Sequence, residues 1–335
     1  MARISRTVSV ALASVLALAA TARGVEPVAP SAKGALEEAN KFVQRANQFV
    51  EKNSLARAKA ECQKALKVFP KHLDALYNLA VVCERFNQKD EAAGYYRHYL
   101  ELSPNDADVW TQLGVLSDER GDKKEARSAY EKAIAADPKF GRAHHNLGVL
   151  LEEQGDLDGA GKELTEFVRL EEAAGRRNGD AYYSLGVLYL RQGRQKDAKM
   201  LVQKAIDADP SVTHYNNAMG EVYLGERSPE LAIASFNKVI AKDANYAPAY
   251  SGLGDAYQQL NDRAKADEAY RKALQLRPDY ALVHYKLGRL LEQTNPTEAT
   301  KHFESYLQSG KNLQYKDEVT LKLEALKMTQ PTKKP

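Results

Sequence analysis

The strongest constraint on the fold is a sequence pattern that recurs about every 34 residues. The segment "ALYNLAVVCERFNQKDEAAGYYRHYLELSP" is followed by four similar segments, most of which close on a proline. One period separates each of the closing prolines Pro70, Pro104 and Pro138. Two periods and a short insertion separate Pro138 from Pro210, and two periods separate Pro210 from Pro278. A period of this length is typical of a solenoid in which each repeat contacts only its neighbours. The sequence therefore predicts a repeat array rather than two ordinary domains.

Small and large residues occupy fixed positions within each repeat. Large residues recur at positions 4, 7, 11 and 24, and Gly or Ala recurs at positions 8, 20 and 27. The third repeat carries this pattern nearly in full, with Trp110, Leu113, Gly114, Ala126, Tyr130, Ala133 and Pro138. The pattern resembles the tetratricopeptide repeat family, in which each repeat is a pair of antiparallel helices. Small residues allow the two helices to approach closely, and large residues fill the space beside the contact.

The resemblance implies an all-α fold, a right-handed superhelical solenoid of antiparallel helix pairs with about eight repeats and a C-terminal capping helix. We predict a flexible linker over 23–38, a capping helix over 313–328 and a flexible tail over 329–335. An insertion at 171–180 replaces the closing proline of the fourth repeat, and we interpret it as a hinge. The predicted repeats are 39–72, 73–106, 107–140, 141–178, 179–212, 213–246, 247–280 and 281–312, within an array over 39–312.

Residues 1–22 have the order of a secretory signal peptide. Arg3 and Arg6 precede an uncharged apolar run over 8–20, which ends near the small residues Ala20 and Ala22. That run is too short to cross a bilayer as a helix. We therefore expect export to a bacterial periplasm, with cleavage after Ala22. The alternative locations are secreted or envelope-associated, and the alternative to cleavage is a retained membrane anchor.

Charge and motif content argue against nucleic-acid binding and catalysis. Without Arg3 and Arg6 the 48 Lys and Arg residues fall to 46, against 45 Asp and Glu, so no basic excess is present. The chain lacks the HExxH, Walker, GxSxG and Rossmann patterns that carry metal, nucleotide and nucleophile chemistry. After Ala22 no apolar stretch approaches about 20 residues, so we expect no transmembrane segment in the mature chain. We predict a non-enzymatic protein with no cofactor, no metal and no catalytic residue.

Two short features could carry chemistry and are better explained as scaffold. His144 and His145 precede Glu152 and Glu153, but adjacent residues on a helix point about 100° apart, which disfavours a shared metal. Cys62 and Cys83 both fall at packing positions of their repeats. Buried thiols are the favoured interpretation, and a disulfide remains open because export would permit one.

The resemblance also implies a concave groove lined by positions 2, 5, 6, 9, 12 and 13 of each first helix. Position 9 is Val in the second to fifth repeats and becomes charged afterwards, at Glu221, Asp255 and Arg289. An apolar row bordered by amides favours recognition of a peptide, because amides can both donate to and accept from its backbone. The alternative is that the valines only support neighbouring helices. The predicted partner-binding residues are Tyr77, Asn78, Val81, Gln112, Val115, His145, Asn146, Val149, Tyr183 and Val187.

These observations predict an interaction scaffold that holds another envelope protein or peptide, in a setting such as a secretion, pilus or motility assembly. Two alternatives remain. A glycan-binding module of the cell wall would use Tyr77, Tyr183 and His145 as stacking surfaces. An accessory subunit of an envelope enzyme would have its catalytic part on another chain. The sequence leaves the partner and the oligomeric state open.

Overall fold

The structure, a computed structural model, describes residues 32–310 and 314–329. The predicted signal peptide, most of the predicted linker and all but the first residue of the predicted tail lie outside these residues. The described residues form seventeen α-helices and no β-strand, and consecutive helices pair as hairpins. The prediction of an all-α solenoid of helix pairs is confirmed. The chain divides into two compact units, residues 1–150 and 151–335, and each is described by itself below.

The first unit contains three hairpins and most of a seventh helix. Its helices are α1 (Ala32–Glu51), α2 (Leu55–Val68), α3 (Leu73–Arg85), α4 (Lys89–Leu102), α5 (Ala107–Glu119), α6 (Lys123–Ala136) and α7 (Gly141–Glu153).

Helix α1 begins earlier than the sequence pattern predicts. It starts at Ala32, so residues 32–38, which we expected in a flexible linker, are helical. Ala35 is buried, and Ala39 and Val43 follow it at helical spacing in the contact with α2 and α3. The apolar face of the first repeat therefore extends one turn upstream of the recognisable motif, which explains the error.

The second unit contains the remaining hairpins and a final helix. Its helices are α8 (Leu157–Ala173), α9 (Gly179–Arg191), α10 (Gln195–Ala208), α11 (Thr213–Gly225), α12 (Pro229–Lys242), α13 (Ala247–Gln259), α14 (Arg263–Leu276), α15 (Ala281–Leu291), α16 (Pro296–Gln308) and α17 (Lys316–Thr329). Helix α17 covers the end of this unit with the buried side chains Val319, Leu323 and Leu326, and Tyr315 just before it stacks on Tyr285 at 4.1 Å between ring centroids.

Seven of the eight hairpins that the structure describes reverse direction at position 15 of the repeat, where the backbone has a positive φ. Glycine and asparagine adopt this conformation most easily, and they occupy six of the seven such turns. Arg227 is the exception, with φ of 55°. The eighth repeat lacks one residue in its turn, and there Asn295 instead caps α16 by accepting from the Glu298 backbone amide. The seven positions are Asn53, Asn87, Gly121, Gly155, Gly193, Arg227 and Asn261.

Close helix contact explains the glycine at position 8. A Cβ built on Gly220 would lie 2.5 Å from Cε1 of Phe236, and one on Gly288 would lie 2.7 Å from Cε1 of Phe303. Both rings are fully buried, so neither can move aside easily. The large residue at position 24 therefore packs directly against the position-8 backbone of the paired helix.

The insertion at 171–180 comprises the end of α8, a short loop and the first residues of α9. Arg176 donates to the Glu171 carboxylate from Nε at 3.0 Å, and Asn178 donates to it from Nδ2 at 2.9 Å. Asn178 also caps α9 by accepting from the backbone amides of Asp180 and Ala181. The insertion lies within the second unit, whereas the division between the units falls between 150 and 151. The mostly buried Glu171 therefore holds the loop to its helix, and the role of the insertion as a hinge stays a prediction.

Candidate functional site

In the first unit, position 9 of three first helices presents valine to the surface. Val81 on α3, Val115 on α5 and Val149 on α7 are each half-buried, whereas the residues at positions 7 and 8 beside them are buried. Because position 9 lies about 100° further round the helix than position 8, it leaves the hairpin core and borders the exposed side. We call Val81, Val115 and Val149, with Gln112 and Asn146, the valine face.

The three predicted amides do not behave alike. Asn78 is 5% exposed, and its Nδ2 donates to Asn47 Oδ1 at 2.8 Å, so it belongs to a helix contact and is not part of the valine face. Gln112 is half-buried beside the Tyr77 hydroxyl. Asn146 is half-buried and forms no hydrogen bond with any other residue that the structure describes. Gln112 and Asn146 therefore keep polar groups next to the valines.

An open cleft adjoins the valine face. It has a volume of about 330 Å³ and places apolar and polar groups together. Burial raises the pKa of the Glu84 carboxyl, which lies on its wall. The cleft offers space for one side chain of a bound segment. Its lining residues are Glu84, Asn87, Lys89, Gln112, Val115, Leu116 and Glu119.

Tyr77 and His145, which the sequence places in the groove, are half-buried. The Tyr77 ring makes edge contacts with Tyr96 and Tyr99, at 6.0 and 6.3 Å between ring centroids. Burial, together with the nearby Asp108 carboxylate, raises the pKa of the Tyr77 phenol. Much of this ring surface is therefore already in contact with protein.

His144 and the two cysteines lie in the core. His144 is 6% exposed, and its Nε2 lies 3.0 Å from the carbonyl oxygen of Pro138. Cys62 and Cys83 are buried free thiols, and burial raises the pKa of Cys62 to about 12. Within residues 32–310 and 314–329, no three His, Cys, Asp or Glu side chains are grouped so that they could hold a metal ion.

Two predicted groove residues belong to the second unit and pack against its next repeat. Tyr183 and Val187 on α9 are half-buried and contact a cluster formed by α10 and α11. The Tyr183 ring also lies 4.6 Å from the His214 ring and 5.4 Å from the Tyr215 ring, between centroids. Val187 is therefore half-buried like the valines of the first unit, and it also contacts the next repeat.

The same repeat positions carry charge in the later repeats of the second unit. Lys286 Nζ donates to Asp255 Oδ2 at 2.6 Å, and Arg289 Nη1 donates to Glu318 Oε1 at 3.0 Å. Glu221 is exposed to solvent, and Asn217 Nδ2 donates to its Oε1 at 2.9 Å. We call Asn217, Glu221, Asp255, Lys286 and Arg289 the charged face. An open cleft of about 470 Å³ adjoins Lys286 and Arg289.

Glu221 is surrounded by protein although water reaches it. Desolvation raises the pKa of the Glu221 carboxyl, while Lys286 and Asn217 act in the opposite direction. Burial raises the pKa of Tyr246, and it raises the pKa of Tyr183 to about 12. The charge of Glu221 is the second cause of both increases. A side chain that is both exposed and desolvated lies in a concave part of the surface. The surface of the charged face is therefore concave around Glu221.

Sequence reasoning missed the tyrosines near Glu221. Tyr246 and Tyr280 occupy position 34 of the sixth and seventh repeats and precede α13 and α15 as their N-cap residues. An aromatic residue recurs at this position, since the third repeat ends with Phe140. The signal was therefore present, but position 34 is not part of the repeat pattern that identifies helix contacts.

No helix among the described residues is both long and apolar enough to cross a membrane.

Three tetratricopeptide repeat profiles match the chain. The profile of the middle TPR-like domain of cilia and flagella-associated protein 70 matches residues 76–208, and two tetratricopeptide repeat profiles match residues 43–107 and 247–280.

Curated relatives match part of the chain. The type IV pilus assembly protein PilF of Pseudomonas aeruginosa is 31% identical over 139 residues, covering 40% of this chain and 54% of that protein. The chloroplastic TPR domain-containing protein PYG7 of Arabidopsis thaliana is 29% identical over 127 residues, covering 37% of this chain and 41% of that protein. This chain thus spans about half the length of these relatives.

Solved structures share the fold. The APC/C hetero-tetramer Cut9–Hcn1 aligns with a TM-score of 0.60 and 20% identity, covering 90% of this chain and 57% of that one. A tetratricopeptide repeat protein from Parabacteroides merdae aligns with a TM-score of 0.60 and 17% identity, covering 76% and 99%. The Pseudomonas aeruginosa PilF structure aligns with a TM-score of 0.55 and 17% identity, covering 68% and 99%. At these identities the likeness shows the fold alone.

Proposed function

We propose, from the premise that this chain belongs to the tetratricopeptide repeat family, that it is a non-enzymatic scaffold holding a segment of a partner protein against the valine face. Tetratricopeptide repeats form scaffolds for protein–protein interaction. The observation that carries the proposal is the row of half-buried valines at the same position of three first helices. Solubility alone favours polar residues at such positions.

The chemistry of the valine face fits an extended peptide. Full burial of a valine side chain contributes about 1.5–3 kcal/mol, so the apolar row supplies affinity. Gln112 and Asn146 each carry a donor and an acceptor, which matches the backbone of an extended segment. The cleft beside Val115 gives room for a side chain of that segment. These features together favour a peptide over a rigid flat surface.

The finer proposal is that the protein is exported and serves a pilus assembly in the cell envelope. The charged, apolar and small-residue order of residues 1–22 supports export. The relative from Pseudomonas aeruginosa is named a type IV pilus assembly protein, and this name supports a role in pilus assembly. N-terminal sequencing of the protein recovered from a periplasmic fraction should return Arg23 as the first residue. Recovery of Met1 would contradict cleavage.

A glycan-binding role has less support from the geometry. Glycan stacking needs an open aromatic face, whereas Tyr77 contacts Tyr96 and Tyr99, and Tyr183 contacts His214 and Tyr215. We expect no sedimentation of the protein with cell-wall polysaccharide. Sedimentation that Tyr77→Ala abolishes would favour the glycan instead.

Cross-linking at the valine face tests the scaffold role directly. A photo-reactive phenylalanine analogue at position 115 should form one covalent adduct with a partner protein in intact cells. The same analogue at Met200, which is 56% exposed on α10, provides a matched control away from the face. Mass spectrometry identifies the partner and the cross-linked segment. The proposal fails if position 115 gives no adduct, or if position 200 gives the same one.

A further inference from the structure

A carboxylate recurs at position 12 of four repeats, one helical turn after position 9. In three of the four it forms an ion pair with a basic side chain of the chain itself, at 2.7 Å between nitrogen and oxygen. These pairs are Asp118 with Lys123, Glu152 with Arg191, and Glu292 with Lys322. The fourth carboxylate, Glu84 on α3, forms no ion pair within residues 32–310 and 314–329. The charge of Glu84 is therefore available to a ligand.

The difference between Glu84 and Glu152 arises at position 13 of the next repeat. Arg191 occupies this position after Glu152 and pairs with it, whereas Glu119 occupies it after Glu84. Glu119 lines the same open cleft as Glu84, and its own cation is Lys89, at 3.0 Å. The lining of the cleft thus has two carboxylates and one ammonium group. A positive charge is missing where Arg191 supplies one in the second unit.

The cleft beside Glu84 combines this unpaired charge with an apolar wall. Leu116 is buried and Val115 is half-buried, and both line the cleft together with Glu84. Because Val115 also belongs to the valine face, the cleft adjoins the surface on which the proposed segment lies. A lysine or arginine side chain lays its aliphatic stem along apolar surface and keeps its charged end at a polar group. The cleft therefore complements a basic side chain in both of its parts.

We propose that Glu84 binds a basic side chain, lysine or arginine, of the partner segment that lies on the valine face. The stem of this side chain contacts Val115 and Leu116. Its charged end pairs with the carboxylate, as Arg191 pairs with Glu152 within the chain. This inference rests on the proposed function, because it names the chemistry of one residue of the same segment. Burial of the valines supplies affinity, and the ion pair adds selectivity.

Titration of the full chain with two matched peptides tests the site. The probe is an acetylated and amidated Val-Ala-Lys-Ala-Val peptide. Its control replaces lysine with norleucine, which keeps the four-carbon stem and lacks the ammonium group. Methyl NMR signals of Val115, assigned from Val115→Ala, follow both titrations. The lysine peptide should bind about tenfold more tightly, and Glu84→Gln should remove this difference. Glu101→Gln, the same change at an exposed site on α4, should leave it intact.

A second variant supplies the missing cation from the chain itself. Glu119→Arg places an arginine at the repeat position that Arg191 occupies after Glu152, and it changes an exposed residue. The new guanidinium should pair with Glu84 and abolish the preference for the lysine peptide, while circular dichroism shows unchanged helicity. This variant decides the test if Glu84→Gln does not fold.

Three results would overturn the inference: no shift of the Val115 signals with the lysine peptide, equal binding of the two peptides by the wild type, or a preference for lysine that either folded variant retains. Equal binding with a shift of Val115 removes the role of Glu84 and leaves the valine face as a peptide site. The proposed function fails on a separate result, the absence of an adduct at position 115 in intact cells.

Discussion

The two units present opposite chemistry at the same repeat position. In the second to fourth repeats, position 9 is Val81, Val115 or Val149, half-buried and uncharged. In the later repeats of the second unit it is charged, at Glu221 and then Asp255, where Lys286 supplies the counter-charge. An apolar row gains affinity from burial, whereas a charged face gains selectivity from pairing. Under the proposed function, the two faces would therefore contact different kinds of side chain.

The helix contacts beneath the two faces are the same. Tyr130 packs against Gly114 in the first unit as Phe236 packs against Gly220 in the second. These contacts fix where position 9 emerges, because it directly follows the position-8 glycine on the helix. The surface chemistry thus varies while the scaffold that presents it stays constant.

The largest effect should follow from placing charge on the valine face. In the double variant Val115→Asp and Val149→Asp, binding loses the apolar contribution of two valines and must also desolvate two carboxylates. We expect affinity for the cross-linked partner to fall by at least about two to three orders of magnitude, at about 1.4 kcal/mol per factor of ten. Isothermal titration calorimetry with that partner measures the change.

The matched control for this change is Leu231→Asp, at a residue 51% exposed on α12. It should leave both affinity and helicity unchanged. Unchanged binding of the double variant with intact helicity would move the site away from the valine face. Collapse of its helicity would show that the valines support the core instead.

The second prediction tests the shared scaffold. Gly114→Ala and Gly220→Ala each place a Cβ against a buried ring, and overpacking of this kind destabilises by about 1–3 kcal/mol. Gly94→Ala is the control, because a Cβ there meets nothing within 4 Å. It should stabilise by up to about 1 kcal/mol, since alanine is the better helix former.

The two units can be followed separately in this experiment. Trp110 is the only tryptophan of the chain and lies in the first unit, so its fluorescence reports unfolding there. Hydrogen exchange by mass spectrometry follows the helices of the second unit. If the Gly114 and Gly220 variants were as stable as Gly94→Ala, the proposed role of position 8 would be wrong.

The repeat pattern alone predicts the helix pairs, because each hairpin needs small and large residues at fixed spacing. Position 8 glycines and position 24 aromatics meet as expected, as Gly288 and Phe303 illustrate. The pattern did not place the start of α1 at Ala32, since a terminal repeat keeps the apolar face without the full motif. The sequence therefore predicts the fold wherever the contact between positions 8 and 24 recurs.

The surface could be predicted only in part. Asn78 matches the predicted amide row, yet it is buried. Its side-chain amide donates a hydrogen bond to Asn47 of the preceding repeat. Val187 matches the valine row and also contacts the next repeat. Tyr246, near Glu221, belongs to no motif position. Whether a groove position is exposed depends on the side chain that the adjacent repeat places beside it. The sequence of a single repeat does not specify that neighbour.

Acid should destabilise the first unit through His72. Burial lowers the pKa of His72, whose Nδ1 accepts from the Ala75 amide and whose Nε2 lies 3.0 Å from Asn40 Oδ1. The folded state therefore favours neutral imidazole. The stabilisation is present above the ordinary His pKa of 6.5 and is lost as pH falls through the lower folded pKa. Trp110 fluorescence should show His72→Gln to be less sensitive to acid than the wild type; equal sensitivity would contradict this role.

The second unit should respond to acid through a histidine pair. His284 Nδ1 and His302 Nδ1 lie 2.9 Å apart, and His284 Nε2 lies 2.9 Å from the Pro278 carbonyl, so neutral His302 donates to His284. Burial first, and then His284, lower the pKa of His302, although Glu298 acts in the opposite direction. The folded state therefore favours the neutral imidazole of His302. After correction for the intrinsic exchange rate, the protection of α15 and α16 should fall as pH falls below 6.5, and His302→Gln should remove that dependence. An unchanged dependence would assign it to another group.

The smallest effect tests whether the raised pKa of Glu221 contributes to stability. Its pKa is raised above the ordinary 4.5, so the folded state binds the proton more tightly, and stability falls as pH rises from 4.5 through the raised value. Glu221→Gln should therefore match the wild type below pH 4.5 and become the more stable of the two above it. Because the side chain is exposed, the gain should stay within about 0.5 kcal/mol. Urea unfolding at pH 4 and pH 7 measures the difference. Equal stability of Glu221→Gln and the wild type at both pH values would contradict the raised pKa of Glu221.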